Sequence, residues 1–121
     1  MSTSTSFLIV ISCGLDNPNR SVRGLHLATV AQKQGKAVTV FLLDDAVFLA
    51  KKGLADNLRA ATGDIAADLL FHLQSFDVPI LVCTPCAQAR QVKEDELIDG
   101  ARLATAVELI QLASESPLIS L

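Results

Sequence analysis

The chain of 121 residues contains no tryptophan and no tyrosine, and phenylalanine occurs only five times. The usual platforms for stacking nucleic-acid bases or a flavin ring are therefore missing. Charge of one sign is not concentrated either. The ten lysines and arginines form no block and the formal net charge is −3, which excludes nucleic-acid binding by electrostatics. No uninterrupted apolar run approaches the roughly 20 residues of a membrane-spanning helix. The longest runs, Phe7 to Ile11 and Ala46 to Ala50, have the size of a strand or a turn. The opening "MSTSTS" lacks the basic and apolar segments of a secretion signal, so residues 1–6 are expected to form a frayed N-terminus of a cytoplasmic protein. Three cysteines are an odd number and exclude a full disulfide framework. The two histidines, His26 and His72, stand alone within helical patterns, and the four ligands of a structural zinc site are not there. "SCGLDNPNRS" has a single glycine and matches no phosphate-binding loop, so neither a metal nor a cofactor is expected.

What is present is apolar. Half of the residues are hydrophobic and the mean hydropathy is positive. A chain of this length supports one domain around one core. That core cannot hide so much apolar surface, so contacts between copies of the chain are expected.

"FLIVIS" (7–12), "AVTVFLL" (37–43) and "VPILVC" (78–83) are short apolar runs rich in β-branched residues, the pattern of strands buried on both faces. Helices are predicted over 20–34, capped by Asn19 or Ser21 and stopped at Gly35, and over 64–75, capped by Thr62. A third helix begins at "TPCAQAR", with Pro85 in its first turn, and a long final helix is predicted over 94–114. "DDAVFLAKKGL" reads as a loop or short helix, and "PLISL" as a last short strand. Buried strands alternating with helices predict a single α/β domain over 1–121 with a mostly parallel sheet of four to five strands. Ligands of such sheets bind beyond the carboxyl ends of the strands. Cys13, Asp44, Asp45 and Cys83 all fall at that edge, and Cys13 could approach Cys83 if the first and third strands are neighbours.

Cys83 and Cys86 form a C-x-x-C pair where the third strand passes into a helix. The helix N-terminus favours a thiolate there, and Arg90, one turn beyond Cys86, adds positive charge. The competing reading makes Cys83 the last buried residue of an apolar strand. Cys86 is either a resolving thiol or a packing residue, and Cys13 a small core residue. Asp16 and Arg20, in "LDNPNR", are accounted for equally well by turn chemistry and a solvated helix start.

Taken in order, these segments resemble the DsrE/DsrF-like family, which includes the TusD-type sulfur-relay proteins. "GLDNPNRSVRGLHLATVAQKQGKAVTVFLLDDAVFLAKKG" is similar to the family's N-terminal half, and "VPILVCTPCAQARQVKEDELIDGARLATAVELIQLASES" to the C-terminal half of its C-x-x-C-bearing members. The resemblance implies a flavodoxin-like three-layer α/β fold and a cytoplasmic homotrimer or homohexamer. It also implies a persulfide on the cysteine closing the third strand, which is Cys83 here. Two positions depart from the family pattern. Asp44-Asp45-Ala46 stands where Gly-Asp-Gly is common, and Gln91 where a glycine often follows the arginine.

Three functions follow as expectations. The first is a sulfur relay or sulfurtransferase with Cys83 carrying the sulfur, Cys86 assisting, and Arg90, Cys13, Asp16, Arg20 and Asp44 in support, exchanging with sulfur donor and acceptor proteins. The second is a non-enzymatic oligomer that binds a small molecule or a partner. The third is a dithiol redox protein working through Cys83 and Cys86.

Overall fold

The computed structural model describes residues 5–121. In chain order these form β1 (Ser6–Ile11), α1 (Pro18–Lys33), β2 (Ala37–Leu42), a 3-10 helix over Asp44–Ala50, α2 (Ala66–Ser75) and β3 (Ile80–Cys83). They continue with α3 (Thr84–Ala89), a 3-10 turn over Glu94–Glu96, β4 (Ala101–Ala104), α4 (Ala106–Glu115) and β5 (Leu118–Ser120). The five strands make one sheet in the order β4-β3-β2-β1-β5, and every pairing is parallel.

Alternation along the strands divides the core in two. Ile9, Ile11, Val40, Leu42, Ile80 and Val82 face one side, where α1 and α2 cover them. Leu8, Val10, Phe41, Leu81 and Cys83 face the other, where Leu109, Leu112 and Ala113 of α4 pack on them. A strand with apolar residues on both faces must be covered on both, and the result is the expected three-layer sandwich. The order β4-β3-β2-β1-β5 differs from that of flavodoxin. In flavodoxin the first strand lies between the second and third, whereas here β2 separates β1 from β3.

That order overturns one expectation: β1 and β3 are not neighbours, so Cys13 and Cys83 are not brought together by strand pairing. Four local expectations also change. First, α1 starts at Pro18 and its cap is Asn17, whose side chain accepts the Arg20 N–H. Proline needs no N–H partner in a first turn, and this moves the start ahead of Asn19. Second, α2 begins at Ala66 without a side-chain cap, and Thr62 donates to Asp64 Oδ2 at 2.8 Å instead. Third, the long helix over 94–114 is broken. Gly100 at φ 85° turns the chain, β4 follows, and α4 starts at Ala106 from the cap Thr105. Fourth, Ser6 opens β1 and the Thr5 carbonyl accepts the Ala37 N–H, so neither is frayed; residues 1–4 lie outside the described residues. No helix among the described residues is long and apolar enough to cross a membrane.

Candidate functional site

All five strands are parallel, so their carboxyl ends share one edge, and three connections meet there. β2 runs into the 3-10 helix at Asp44, and β3 runs into α3 at Cys83. The loop after β1 closes on them at Gly14. A Cβ at Gly14 would stand 2.1 Å from the Asp45 carbonyl oxygen, so only glycine permits this backbone approach. Asp16 serves the same loop by accepting the Gly14 N–H at 2.7 Å. Ser21, buried, donates to the Gly14 carbonyl at 3.0 Å.

The two cysteines of the C-x-x-C pair stand together. Their sulfur atoms lie 2.7 Å apart, and a disulfide would need them at about 2.05 Å. Both are free thiols. Cys83 is buried, with 8 % of its surface exposed, among Leu8, Val10, Phe41, Leu81 and Ala104. Cys86 is only half-buried. Its sulfur lies 3.9 Å from Asp44 Oδ1. Pro85 occupies the first turn of α3, which spends no backbone donor and presents Cys86 one turn after Cys83.

Arg90 closes α3 and faces this pair from the side. Its Nε donates to Asp45 Oδ1 at 2.7 Å and its Nη1 to the Cys86 carbonyl at 3.2 Å. The Asp45 hydrogen bond raises the arginine's pKa, and the nearby Cys86 and Asp44 contribute in the same direction. Asp45, which the sequence places at this edge but not among the candidate site residues, thus belongs to the site. Its signal was the tandem Asp44-Asp45. Thr84 was also missed; its hydroxyl donates to the Ala104 carbonyl at 2.7 Å and ties the start of α3 to β4.

The expectation that the helix start and Arg90 draw Cys83 toward thiolate is not met. Burial pushes the Cys83 thiol up from its ordinary value of 9.0; the hydrogen bond with Cys86 and the negative charge of Asp44 add to this, against the Cys86 backbone N–H, which lowers it. The reason is geometric: α3 has six residues, and the guanidinium is committed to Asp45. Of the expected supporting residues, Asp44 and Arg90 stand at the pair. Cys13 and Asp16 belong to the β1–α1 loop, and the exposed Arg20 stands in the first turn of α1, where it offers its backbone N–H to the Asn17 side chain. His26 lies 4.0 Å from Asp64 and His72 bonds Gln32 at 2.7 Å, each away from the thiols in the fold. Among the described residues no three His, Cys, Asp or Glu side chains are grouped to hold a metal ion.

Residues 5–120 match the model of the DsrE/DsrF-like family. The chain belongs to that family. It is 34 % identical over 110 residues to an uncharacterised protein of Methanocaldococcus jannaschii, covering 91 % of this chain and 93 % of the other. It is 30 % identical to the YchN protein of Escherichia coli over 72 % of this chain and 71 % of YchN. The crystal structure of YchN superposes with a TM-score of 0.81 at 22 % identity, covering 98 % of this chain and all (100 %) of that one. A protein of unknown function from Methanobacterium thermoautotrophicum superposes at 0.71 and 12 % identity, covering 98 % and 100 % of the two chains. The likeness to the solved structures is one of fold.

Proposed function

We propose that this DsrE/DsrF-like protein accepts a sulfane sulfur on its C-x-x-C pair and holds it as a persulfide on Cys83 for delivery to an acceptor. One observation carries the reading. The thiol at the carboxyl end of β3, the position at which the family resemblance puts a persulfide, has a second thiol 2.7 Å from it at the sheet edge where α/β proteins bind their ligands. Burial among apolar side chains shields a sulfur on Cys83 from solvent and stray nucleophiles. The half-buried Cys86 leaves a way in from solution.

The test is intact-protein mass spectrometry after incubation with a low-molecular-weight persulfide. A gain of one sulfur is expected in the wild type, reversed by reductant and absent from the double variant Cys83→Ser/Cys86→Ser. A wild type that gains nothing with its thiols reduced moves the assignment to a non-enzymatic binding module. A reversible Cys83–Cys86 disulfide without retained sulfur moves it to a dithiol redox protein.

The protein is further proposed to work as a homo-oligomer in the cytoplasm. A sheet of five strands at about 4.8 Å spacing is about twice as wide as one helix, which measures about 10 Å across. Yet α4 is the one long helix packed on the second face among the described residues, with only Cys86 of the short α3 beside it, and a groove of about 340 Å³ lined by Thr39, Pro79, Leu81, Arg102 and Leu112 lies next to α4. The outer side of α4 leaves Val107 and Ile110 exposed at 76 % and 66 %. Apolar side chains this open are covered most readily by a second copy of the chain.

A further inference from the structure

The two thiols differ in access, and the difference sets an order of events for the sulfur chemistry proposed above, on which this inference rests. Cys83 is buried at the bottom of the second core cluster. Cys86 sits above it on α3, half-buried, with Asp44 Oδ1 3.9 Å from its sulfur and the Arg90 guanidinium on its own carbonyl. An external donor reaches Cys86 first. Approach to Cys83 along the same path is blocked by the Cys86 sulfur, 2.7 Å away.

We propose that Cys86 is the thiol that meets the sulfur donor, a low-molecular-weight persulfide, and that Cys83 receives the sulfur from Cys86 in an inward transfer. The electrostatics agree. Burial and the hydrogen bond with Cys86 keep the proton on Cys83, which makes it the poorer first nucleophile. The nucleophile of a thiol exchange is the thiolate, and it must be accessible.

In the first step the Cys86 thiolate attacks the outer sulfur of the donor R–S–SH. A Cys86 S–S bond forms, the donor's S–S bond breaks, and R–S⁻ leaves with the electron pair. In the second step Cys83 attacks the outer sulfur of the Cys86 persulfide. The new S–S bond is on Cys83, the Cys86 S–S bond breaks, and the departing Cys86 sulfur takes the proton that Cys83 gives up. Neither step oxidises the protein, and the sulfane sulfur keeps its oxidation level throughout. Attack at the inner sulfur would be a different reaction. It would close the Cys83–Cys86 disulfide and expel hydrosulfide, oxidising the pair and reducing the sulfane sulfur.

The experiment uses full-length wild type, Cys83→Ser and Cys86→Ser with glutathione persulfide, followed by time-resolved intact mass and fragmentation to place the added sulfur. Cys83→Ser is expected to load Cys86 within about threefold of the wild-type rate, and Cys86→Ser to load Cys83 at least about tenfold more slowly, because only the less accessible thiol remains. Wild type is expected to end with the sulfur on Cys83. Loss of loading in Cys83→Ser with an unchanged rate in Cys86→Ser overturns the order while leaving the persulfide reading intact. Wild type that ends as the disulfide with sulfide released overturns the inward transfer. No loading of wild type overturns the persulfide reading itself. A second measurement needs neither variant: limiting iodoacetamide on the reduced wild type should alkylate Cys86 before Cys83, and the reverse sequence contradicts the proposal.

Discussion

Asp44 and Gln91 hold the backbone at φ 49° and 57°, in the left-handed region where a side chain costs about 1–2 kcal/mol and glycine does not. These are two of the positions at which the family resemblance implies a glycine. The departures therefore change the residue while the backbone keeps a glycine-like turn. At Asp44 the strain sits beside the thiols, where a carboxylate 3.9 Å from Cys86 gives the residue something to do that glycine could not. Gln91 is exposed and has no such role. Gln91→Gly should therefore raise stability by about 0.5–1 kcal/mol, part of the relief being lost to the freer unfolded chain; urea unfolding midpoints check it, and sulfur loading should not change. That a proton stays on Cys83 was not legible in "VCTPC". The motif shows two thiols and a helix start, but burial and the Arg90–Asp45 bond come from residues distant in sequence.

Elements were legible where periodicity was strong and boundaries were marked. β1, β2, β3 and α1 are apolar runs or stripes bounded by Gly, Pro and Asn, and their placement holds to within two or three residues. The stretch from Glu94 to Ser114 was not legible. Its apolar residues Leu97, Ala101, Ala104 and Val107 keep helical spacing, yet Gly100 turns the chain and the edge of β3 takes Ala101–Ala104 as a fourth parallel strand. Sheet hydrogen bonding to a neighbour outweighs local helix propensity here. What then restarts the helix is Thr105, whose hydroxyl accepts the Glu108 N–H while the Glu108 carboxylate accepts the Thr105 N–H. Arg102 Nη2 donates to the same carboxylate at 2.8 Å and, ahead of the Thr105 hydrogen bond, holds Glu108 below the usual carboxylate value. Thr105→Ala should cost about 1 kcal/mol and loosen the cover over Cys83, seen as faster alkylation of that buried thiol.

Across the described residues, one face of the sheet is closed by α1 and α2, and the other by α4 with Cys86 of the short α3. The exposed Ile110 is the place to test association: Ile110→Glu should lower the mass found by light scattering at a given concentration, with the circular dichroism of the fold retained. Stability should also follow the Cys83 thiol. The folded protein holds that proton more tightly than the unfolded chain, because burial disfavours the thiolate. Its contribution is complete below the ordinary thiol value of 9.0 and is lost as pH rises through the higher folded value. Unfolding free energy should therefore fall above about pH 9 in the wild type, and fall less in Cys83→Ala, in paired denaturant titrations.

The amino-acid sequence by itself determined the layer architecture, because strands apolar on both faces must be sandwiched. It also determined that the C-x-x-C pair lies at the carboxyl edge of a parallel sheet, because a strand-to-helix junction in an α/β chain can lie nowhere else. Only the tertiary structure decided that β2 separates Cys13 from Cys83 and that residues 101–104 are a strand. It also decided that Asp45 takes Arg90, and that of two thiols three residues apart one is buried and the other open. Each of these is a choice among long-range partners that compete on nearly equal local terms, and packing around the finished sheet selects between them.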